Sequence, residues 1–188
     1  MEEVLQEDKE IFLFLNNLGD SDFDRLWLLI SETWIWVPLY MIFGYLLFKN
    51  FKPKALVFIA IFVALGVTAS DQLASVFKYG FERLRPCHDP TLDNIMREVK
   101  CGGRFGFYSA HASNTFFLAT FLSMILGKKI KWLSVFLFLW AAVVSYSRIY
   151  LGVHFPLDIL AGAVFGFLIG GFFATLTLNV LHKQNSSK

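Results

Sequence analysis

The chain has 188 residues, the length of one domain, of which 56% are hydrophobic, 18% aromatic and only 17% charged. A soluble domain of this size has about 45–50% apolar residues. The excess here lies in long blocks, which excludes a soluble domain and predicts an integral membrane protein. The net charge of +2 and the lack of a basic tract give no reason to expect a nucleic-acid partner.

The first 24 residues form an acidic segment without the positive start and small-residue cleavage site of a signal peptide. We therefore expect the first hydrophobic span to remain as an anchor. Within 1–24, Val4–Leu18 mixes apolar residues with acids, which predicts an amphipathic helix lying on the membrane. The alternative is a solvated tail. Gly19-Asp20-Ser21 breaks this segment from the rest.

Five later segments approach or exceed the roughly 20 apolar residues that cross a bilayer. They are Leu26–Phe48, Ala55–Phe77, Ser109–Leu126, Trp132–Arg148 and Phe155–Leu181. The sequence thus predicts an all-α fold, a polytopic membrane helix bundle of about five transmembrane helices plus the N-terminal interfacial helix. Residues 1–188 would form a single membrane-embedded domain, with 79–108 as a loop on its outer face.

Lysines in the short connections predict the orientation. They fall between spans one and two, between spans three and four, and after span five: Lys49, Lys52, Lys54, Lys128, Lys129, Lys131, Lys183 and Lys188. All lie on one side of a five-span chain, which the positive-inside rule makes cytoplasmic. We expect a bacterial inner membrane protein with a cytoplasmic C-terminus, and with the 79–108 loop facing the periplasm or the outside.

This topology brings the residues with catalytic chemistry to one face. Lys78 ends span two, His111 begins span three, Arg148 ends span four, and His154 and Asp158 begin span five. Charges this close to hydrocarbon are costly and usually have a function. The sequence therefore predicts one extracytoplasmic site.

Two of its elements suit phosphate chemistry. His154 and Asp158 are four residues apart, so the carboxylate can accept from one ring nitrogen and leave the other free as a nucleophile. Alone, this spacing is more often structural. Ser109 and Ala110 open a predicted helix whose N-terminal N–H groups favour an oxyanion, and His111 is placed to protonate a leaving oxygen. The alternatives are an N-cap serine and an interfacial histidine.

Three cations would hold the phosphate oxygens: Lys78, Arg85 and Arg148. Arginine makes bidentate phosphate contacts, and lysine supplies a point charge. The alternative is contact with lipid headgroups, which would explain Lys78 or Arg83 better than Arg85 in its Arg-Pro turn.

The residues Lys78-x6-Arg85-Pro86, Ser109-Ala110-His111 and Ser147-Arg148-x5-His154-x3-Asp158 resemble the three-part signature of the type-2 phosphatidic acid phosphatase superfamily. The resemblance covers most of the chain from residue 55 onward. It implies a metal-independent phosphatase with no cofactor, in which His154 forms a phosphohistidine. Asp158 would orient His154, and His111 would protonate the leaving group and later activate water. The phosphoryl oxygens would be held by Lys78, Arg85, Ser109, Arg148 and the Ala110 N–H.

The chain departs from the family pattern at the second motif, where Pro-Ser-Gly-His is replaced by Tyr108-Ser109-Ala110-His111. Alanine keeps its N–H, so we expect activity to survive. Two further acids, Asp71 and Glu32, lie in or near the apolar spans and are candidates for supporting the site. Asp71 is two helical turns before Lys78, on the same face.

The only two cysteines, Cys87 and Cys101, fall in the outward loop. In an oxidising compartment, a pair enclosing about 15 residues forms a bridge worth roughly 3 kcal/mol. Two free thiols are the alternative, and zinc ligation is not expected because four closely spaced ligands are lacking.

The expected function is therefore that of an integral membrane lipid phosphatase. Its short chain and outward site look most like the undecaprenyl-diphosphate phosphatase branch, and phosphatidylglycerophosphate or a lipid A phosphate are alternative substrates. A vanadium haloperoxidase-like enzyme or an inactive lipid-binding protein would be a different class. The expected partners are the lipid phosphate substrate and membrane lipids, with no obligatory protein partner inferred.

Overall fold

The structure is a computed structural model that describes residues 2–186; Met1, Ser187 and Lys188, the last of the predicted cytoplasmic lysines, lie outside it. The described residues form seven α-helices. They are α1 Glu2–Asn17, α2 Asp24–Ser31, α3 Val37–Asn50, α4 Pro53–Phe81, α5 Ala110–Leu126, α6 Leu133–Tyr150 and α7 Pro156–Ser186. The all-α prediction is confirmed.

Helices α4, α6 and α7 are long and apolar enough to cross a membrane, and the bent pair formed by α2 and α3 counts as a fourth candidate span. Helix α5 is apolar but has only 17 residues. Each predicted span thus corresponds to a helix or helix pair, and the protein is a multi-pass membrane protein.

The first predicted span, Leu26–Phe48, is not one straight helix. Helices α2 and α3 meet at an angle of 69°, and Glu32 between them has extended backbone. Pro38 lies in the first turn of α3, where a missing N–H costs nothing, whereas a continuous helix would have placed it in the interior. The break brings Ser31 and Glu32 to the end of the bundle that holds the predicted site.

Helices α5 and α7 pack through glycines spaced four residues apart on α7. A Cβ at Gly162, Gly166 or Gly170 would lie 2.5, 2.2 or 2.7 Å from a backbone carbonyl oxygen of α5 or its N-cap. Because these positions lack side chains, the two backbones approach closely. As a result the helix N-termini meet, and the Ser109 N–H donates to the Asp158 carbonyl at 3.0 Å.

The predicted helix forms as α1, and one stripe along it packs against the rest of the protein. Asp8, Phe12 and Asn16 are buried at successive turns. The Asn16 amide donates to the carbonyls of Ile149 and Tyr150 at 3.1 and 3.0 Å, and its oxygen accepts from the Arg97 N–H at 2.7 Å. The rest of the helix surface is exposed and carries both acids, such as Glu7 and Glu10, and apolar residues, such as Ile11 and Phe14.

The loop between α4 and α5 is folded back on itself. An isolated antiparallel bridge joins Leu84 to Phe105, supported by hydrogen bonds from Arg85 N–H to the Arg104 carbonyl and from Gly106 N–H to the Arg83 carbonyl. A disulfide joins Cys87 to Cys101. These ties fix the backbone that carries Arg83 and Arg85.

Candidate active site

The residues proposed from sequence meet at the ends of four helices and the adjoining loop. His154, Asp158, Ser109 and Arg148 are buried, whereas Lys78, Arg85, Ala110 and His111 are partly exposed. The buried group forms the floor of the site and the partly exposed group lines its opening.

The His154–Asp158 pair is formed across the start of α7. His154 Nδ1 lies 3.3 Å from Asp158 Oδ2, and the Phe155 N–H donates to the same oxygen at 3.1 Å. Pro156 begins the helix without a backbone donor. This arrangement favours the tautomer with a proton on Nδ1 and leaves Nε2 with a free lone pair.

Charge around His154 keeps that lone pair available. Burial lowers the pKa of His154 well below its ordinary value, and the positive charges of Arg85, Arg148 and Lys78 lower it further. The imidazole is therefore neutral at physiological pH, which is the form that can attack phosphorus.

The cations split into a paired one and three unpaired ones. Within residues 2–186, Lys78, Arg85 and Arg148 form no salt bridge, whereas Arg83 forms two. Arg148 donates to the Ser31 hydroxyl at the α2–α3 break, and its Nε is buried without a partner. Unpaired buried cations are costly, so a bound anion would stabilise this cluster.

Arg83 is the residue that sequence reasoning missed. Its Nη1 donates to Asp158 Oδ1 at 2.8 Å and its Nη2 to Asp8 Oδ2 at 2.5 Å, while the guanidinium stacks over the Phe155 ring at 4.4 Å. The lipid-headgroup interpretation of Arg83 is therefore wrong. The available signal was its position two residues before Arg85, because alternate residues of extended backbone direct their side chains to the same face.

Asp8 completes this network from helix α1. Its Oδ1 accepts from the Leu157 N–H at 2.9 Å, so both carboxylate oxygens are used. Burial raises the pKa of Asp8, and the hydrogen bonds from Arg83 and Leu157 offset part of that rise. The amphipathic pattern of this region predicts only an interfacial helix and gives no sign of the Asp8 contacts.

Gly106 lies against the His–Asp pair and Arg85. A Cβ there would be 2.9 Å from Asp158 Oδ2 and 3.2 Å from Arg85 Cγ. The Arg85 Nε donates to the Phe105 carbonyl at 3.1 Å, which orients its terminal nitrogens. Any side chain at position 106 would press on the site.

Each of the two acids proposed to support the site has a hydrogen-bond partner outside the signature motifs, and their supporting role stays a prediction. Glu32 Oε1 accepts from Lys100 Nζ at 2.7 Å, at the break between α2 and α3. Asp71 Oδ1 accepts from Asn114 Nδ2 at 2.8 Å. Neither forms an ion pair with Lys78.

Tyr108, the departure from the family's proline, is fully buried. Its ring stacks on Phe165 of α7 at 4.7 Å and lies 5.3 Å from Phe77 of α4. Tyr108 therefore fills space between helices directly before the Ser109 N-cap.

Among residues 2–186, the one group of three side chains close enough to share a metal ion is Cys87, His88 and Cys101. Both sulfurs are occupied by the disulfide. The candidate site itself carries the cations Lys78, Arg85 and Arg148, whose positive charge attracts an anion.

These features define a multi-pass membrane protein whose site is suited to a phosphate group. The sequence model of the PAP2 superfamily matches residues 59–182. The chain belongs to the PAP2 superfamily and is a membrane lipid phosphatase, a phosphoric monoester hydrolase.

Three relatives bear on the substrate. The chain is 38% identical to a lipid A 4'-phosphatase of Bacteroides thetaiotaomicron, covering 94% of this chain and 77% of the relative. It is also 38% identical to a lipid A 4'-phosphatase of Porphyromonas gingivalis, covering 92% and 73%. An undecaprenyl-diphosphatase of Sulfolobus acidocaldarius is 27% identical, covering 91% and 77%.

Two crystal structures share the fold. A transmembrane PAP2-type phosphatidylglycerolphosphate phosphatase from Bacillus subtilis superposes with a TM-score of 0.74 at 23% identity, covering 96% of this chain and 89% of the other. Aquifex aeolicus LpxE superposes with a TM-score of 0.68 at 25% identity, covering 90% and 93%. The transmembrane fold is thus shared well beyond the signature motifs.

Proposed function

We propose that this protein removes the 4'-phosphate of lipid A. The observation that carries the proposal is the 38% identity to two lipid A 4'-phosphatases over more than nine-tenths of the chain. The undecaprenyl-diphosphatase relative is more distant, at 27%. Lipid A, an alternative in the sequence analysis, therefore becomes the leading substrate, and undecaprenyl diphosphate the second candidate.

In this proposal His154 is the nucleophile. Its Nε2 attacks the phosphorus, a P–N bond forms, and the P–O bond to the sugar breaks. His111, in the protonated form that the negative charge of the bound phosphate favours, gives a proton to the departing sugar oxygen. Asp158 accepts from Nδ1 and stabilises the positive charge that develops on the ring. Water, deprotonated by His111, then attacks the phosphohistidine, which releases inorganic phosphate and regenerates His154.

The unpaired cations would bind the phosphoryl oxygens. Lys78, Arg85 and Arg148 supply positive charge from three different elements, and Ser109 and the Ala110 N–H supply donors at the start of α5. This set neutralises a phosphate without a metal ion, so we propose a metal-independent reaction with no cofactor.

A polar pair below the site supports a saccharolipid over a polyprenyl substrate. Asp71 is exposed on α4 and accepts from Asn114, and seven helical residues place it about 10 Å from Lys78 along the axis. Lipid A carries sugar hydroxyls and acyl amides below its phosphate, which can bond a carboxylate. A polyprenyl diphosphate has only hydrocarbon there, where a charge is costly.

The bundle also offers room for lipid chains. A cleft of ≈ 550 Å³ between α3, α4 and α5 is lined almost entirely by apolar residues, Phe43, Ile59 and Leu118 among them. With the lysines on the opposite side, we propose that the site faces outward from a bacterial inner membrane.

The test is a parallel assay of the protein purified in detergent with EDTA present. Bis-phosphorylated lipid A, undecaprenyl diphosphate and phosphatidylglycerophosphate are supplied at equal concentration, and released phosphate is measured. We expect lipid A to be hydrolysed fastest, and tandem mass spectrometry to show loss of the 4'-phosphate. Faster hydrolysis of undecaprenyl diphosphate, or loss of the 1-phosphate, would overturn the proposal.

A further inference from the structure

We propose that Asp8 of helix α1 is a positioning residue of the reaction, acting through Arg83 on the Asp158–His154 pair. This inference rests on the proposed role of His154 and is independent of which lipid phosphate is hydrolysed. Helix α1 lies outside residues 59–182, the region matched by the PAP2 model, and outside all three signature motifs. The family motifs therefore assign it no role.

The first step is the division of the Arg83 guanidinium between two carboxylates. One terminal nitrogen donates to Asp158 Oδ1 at 2.8 Å and the other to Asp8 Oδ2 at 2.5 Å. Because Asp8 occupies the second nitrogen, Arg83 binds Asp158 through a single oxygen. Asp158 Oδ2 is thus left to His154 and the Phe155 N–H.

The second step is what happens without the Asp8 charge. An arginine beside one carboxylate favours the two-pronged contact with both of its oxygens. Arg83 would then compete with His154 Nδ1 for Asp158 Oδ2. The imidazole would lose its orientation and the stabilisation of its developing charge, which are the two contributions of the carboxylate in such a pair.

The third step is the direct hydrogen bond between Asp8 and the start of α7. Its Oδ1 accepts from the N–H of Leu157, the second residue of that helix. First-turn N–H groups have no partner within their own helix, so Asp8 caps α7 from another helix. One side chain thereby fixes both the arginine beside Asp158 and the turn that carries Asp158.

Helix α1 is itself held rigidly enough for this role. Lys9 Nζ pairs with Asp89 Oδ2 at 2.7 Å on the loop side, and Phe12 packs edge-on against Phe155 at 5.3 Å. Asn16 is bonded to the α6 carboxyl end. Asp8 is only 3% exposed, so water does not loosen its contacts.

The experiment compares Asp8→Asn with Glu7→Gln and Glu10→Gln, which neutralise exposed acids beside it on α1. Asparagine keeps the size and an acceptor oxygen but loses the charge. We expect Asp8→Asn to lower kcat by about 10- to 100-fold, the usual effect of removing the partner that orients an active-site group. KM should stay near wild type, each variant is assayed well below its own Tm, and both controls should match wild type.

A double-mutant cycle distinguishes positioning from simple anchoring. If Asp8 acts through Arg83, adding Asp8→Asn to Arg83→Gln should cost less than about 3-fold more. Independent, multiplying effects would overturn the proposal, as would wild-type kcat in Asp8→Asn or a kcat loss that only follows a lower Tm.

Arg83→Lys keeps the test decisive if Asp8→Asn folds poorly. A lysine lacks the fork that spans two carboxylates, so this variant should show the same loss of kcat with α1 intact. A wild-type kcat in Arg83→Lys would overturn the proposal. All variants are assayed on whichever lipid phosphate the wild type hydrolyses best, so an error in the substrate leaves this result readable.

Discussion

The two sides of the active site use charge in opposite ways. On one side, Lys78, Arg85 and Arg148 are cations without a carboxylate partner in the described residues. On the other, Asp8, Arg83 and Asp158 are paired with one another at 2.5 and 2.8 Å. Unpaired charge is useful where an anion must bind and leave, whereas paired charge is useful where geometry must not change. His154 lies between the two sides.

The largest expected loss of activity is at His154, between the two sides. His154→Ala removes the proposed nucleophile and should lower kcat by about 10⁴-fold or more, whereas His88→Ala on the disulfide loop should leave it unchanged. The rate of phosphate release from lipid A is measured for both variants. A His154→Ala enzyme with substantial activity would assign the nucleophile to another residue.

Lys78→Met tests the unpaired side. It removes one electrostatic contact with the phosphoryl group, worth about 2–4 kcal/mol in the transition state. We expect lower kcat/KM and weaker inhibition by vanadate, a phosphate mimic. Unchanged vanadate affinity would show that Lys78 contacts no phosphoryl oxygen.

Gly106→Ala tests the paired group by placing a methyl group against Asp158. The added Cβ would press on Asp158 Oδ2 and Arg85, and shifts of this kind cost about 1–3 kcal/mol. If about 1.4 kcal/mol of this cost falls on the transition state, kcat falls by about 10-fold. Gly103, whose Cβ would meet nothing within 4 Å, provides the matched control as Gly103→Ala. Equal activity of the two variants would contradict the close packing described here.

The smallest effect on activity is expected for Asp71→Asn. Asp71 belongs neither to the unpaired cations nor to the paired group of Asp8, Arg83 and Asp158. If Asp71 bonds polar groups of a saccharolipid, its neutral variant should raise KM for lipid A by about 3- to 10-fold, the worth of one hydrogen bond. KM for phosphatidylglycerophosphate should not change. Equal changes for both substrates would assign Asp71 to the packing of α4 and α5.

Sequence reasoning placed the helices and the motif residues because those signals are local. The spacing of four between His154 and Asp158 determines their contact, and long apolar blocks determine the helices. The bend at Glu32 was missed because hydropathy is averaged over a window, although Pro38 marked a helix start. The four-residue repeat of Gly162, Gly166 and Gly170 is a sequence signal for close helix packing.

The contact between Asp8 and Arg83 could not be predicted in this way. The two residues are 75 positions apart, and their meeting depends on the docking of α1 across α6 and α7. An acid in an amphipathic segment ordinarily faces water, and its burial becomes visible only in three dimensions.

The contact of Asp8 with Leu157 also constrains biosynthesis. Helix α1 leaves the ribosome before α7, and the Leu157 N–H that Asp8 caps follows it by 149 positions. The contact can therefore form only after α7 has been synthesised and α1 has packed against it. A chain whose translation stops before α7 would lack this contact, and with it Asp158.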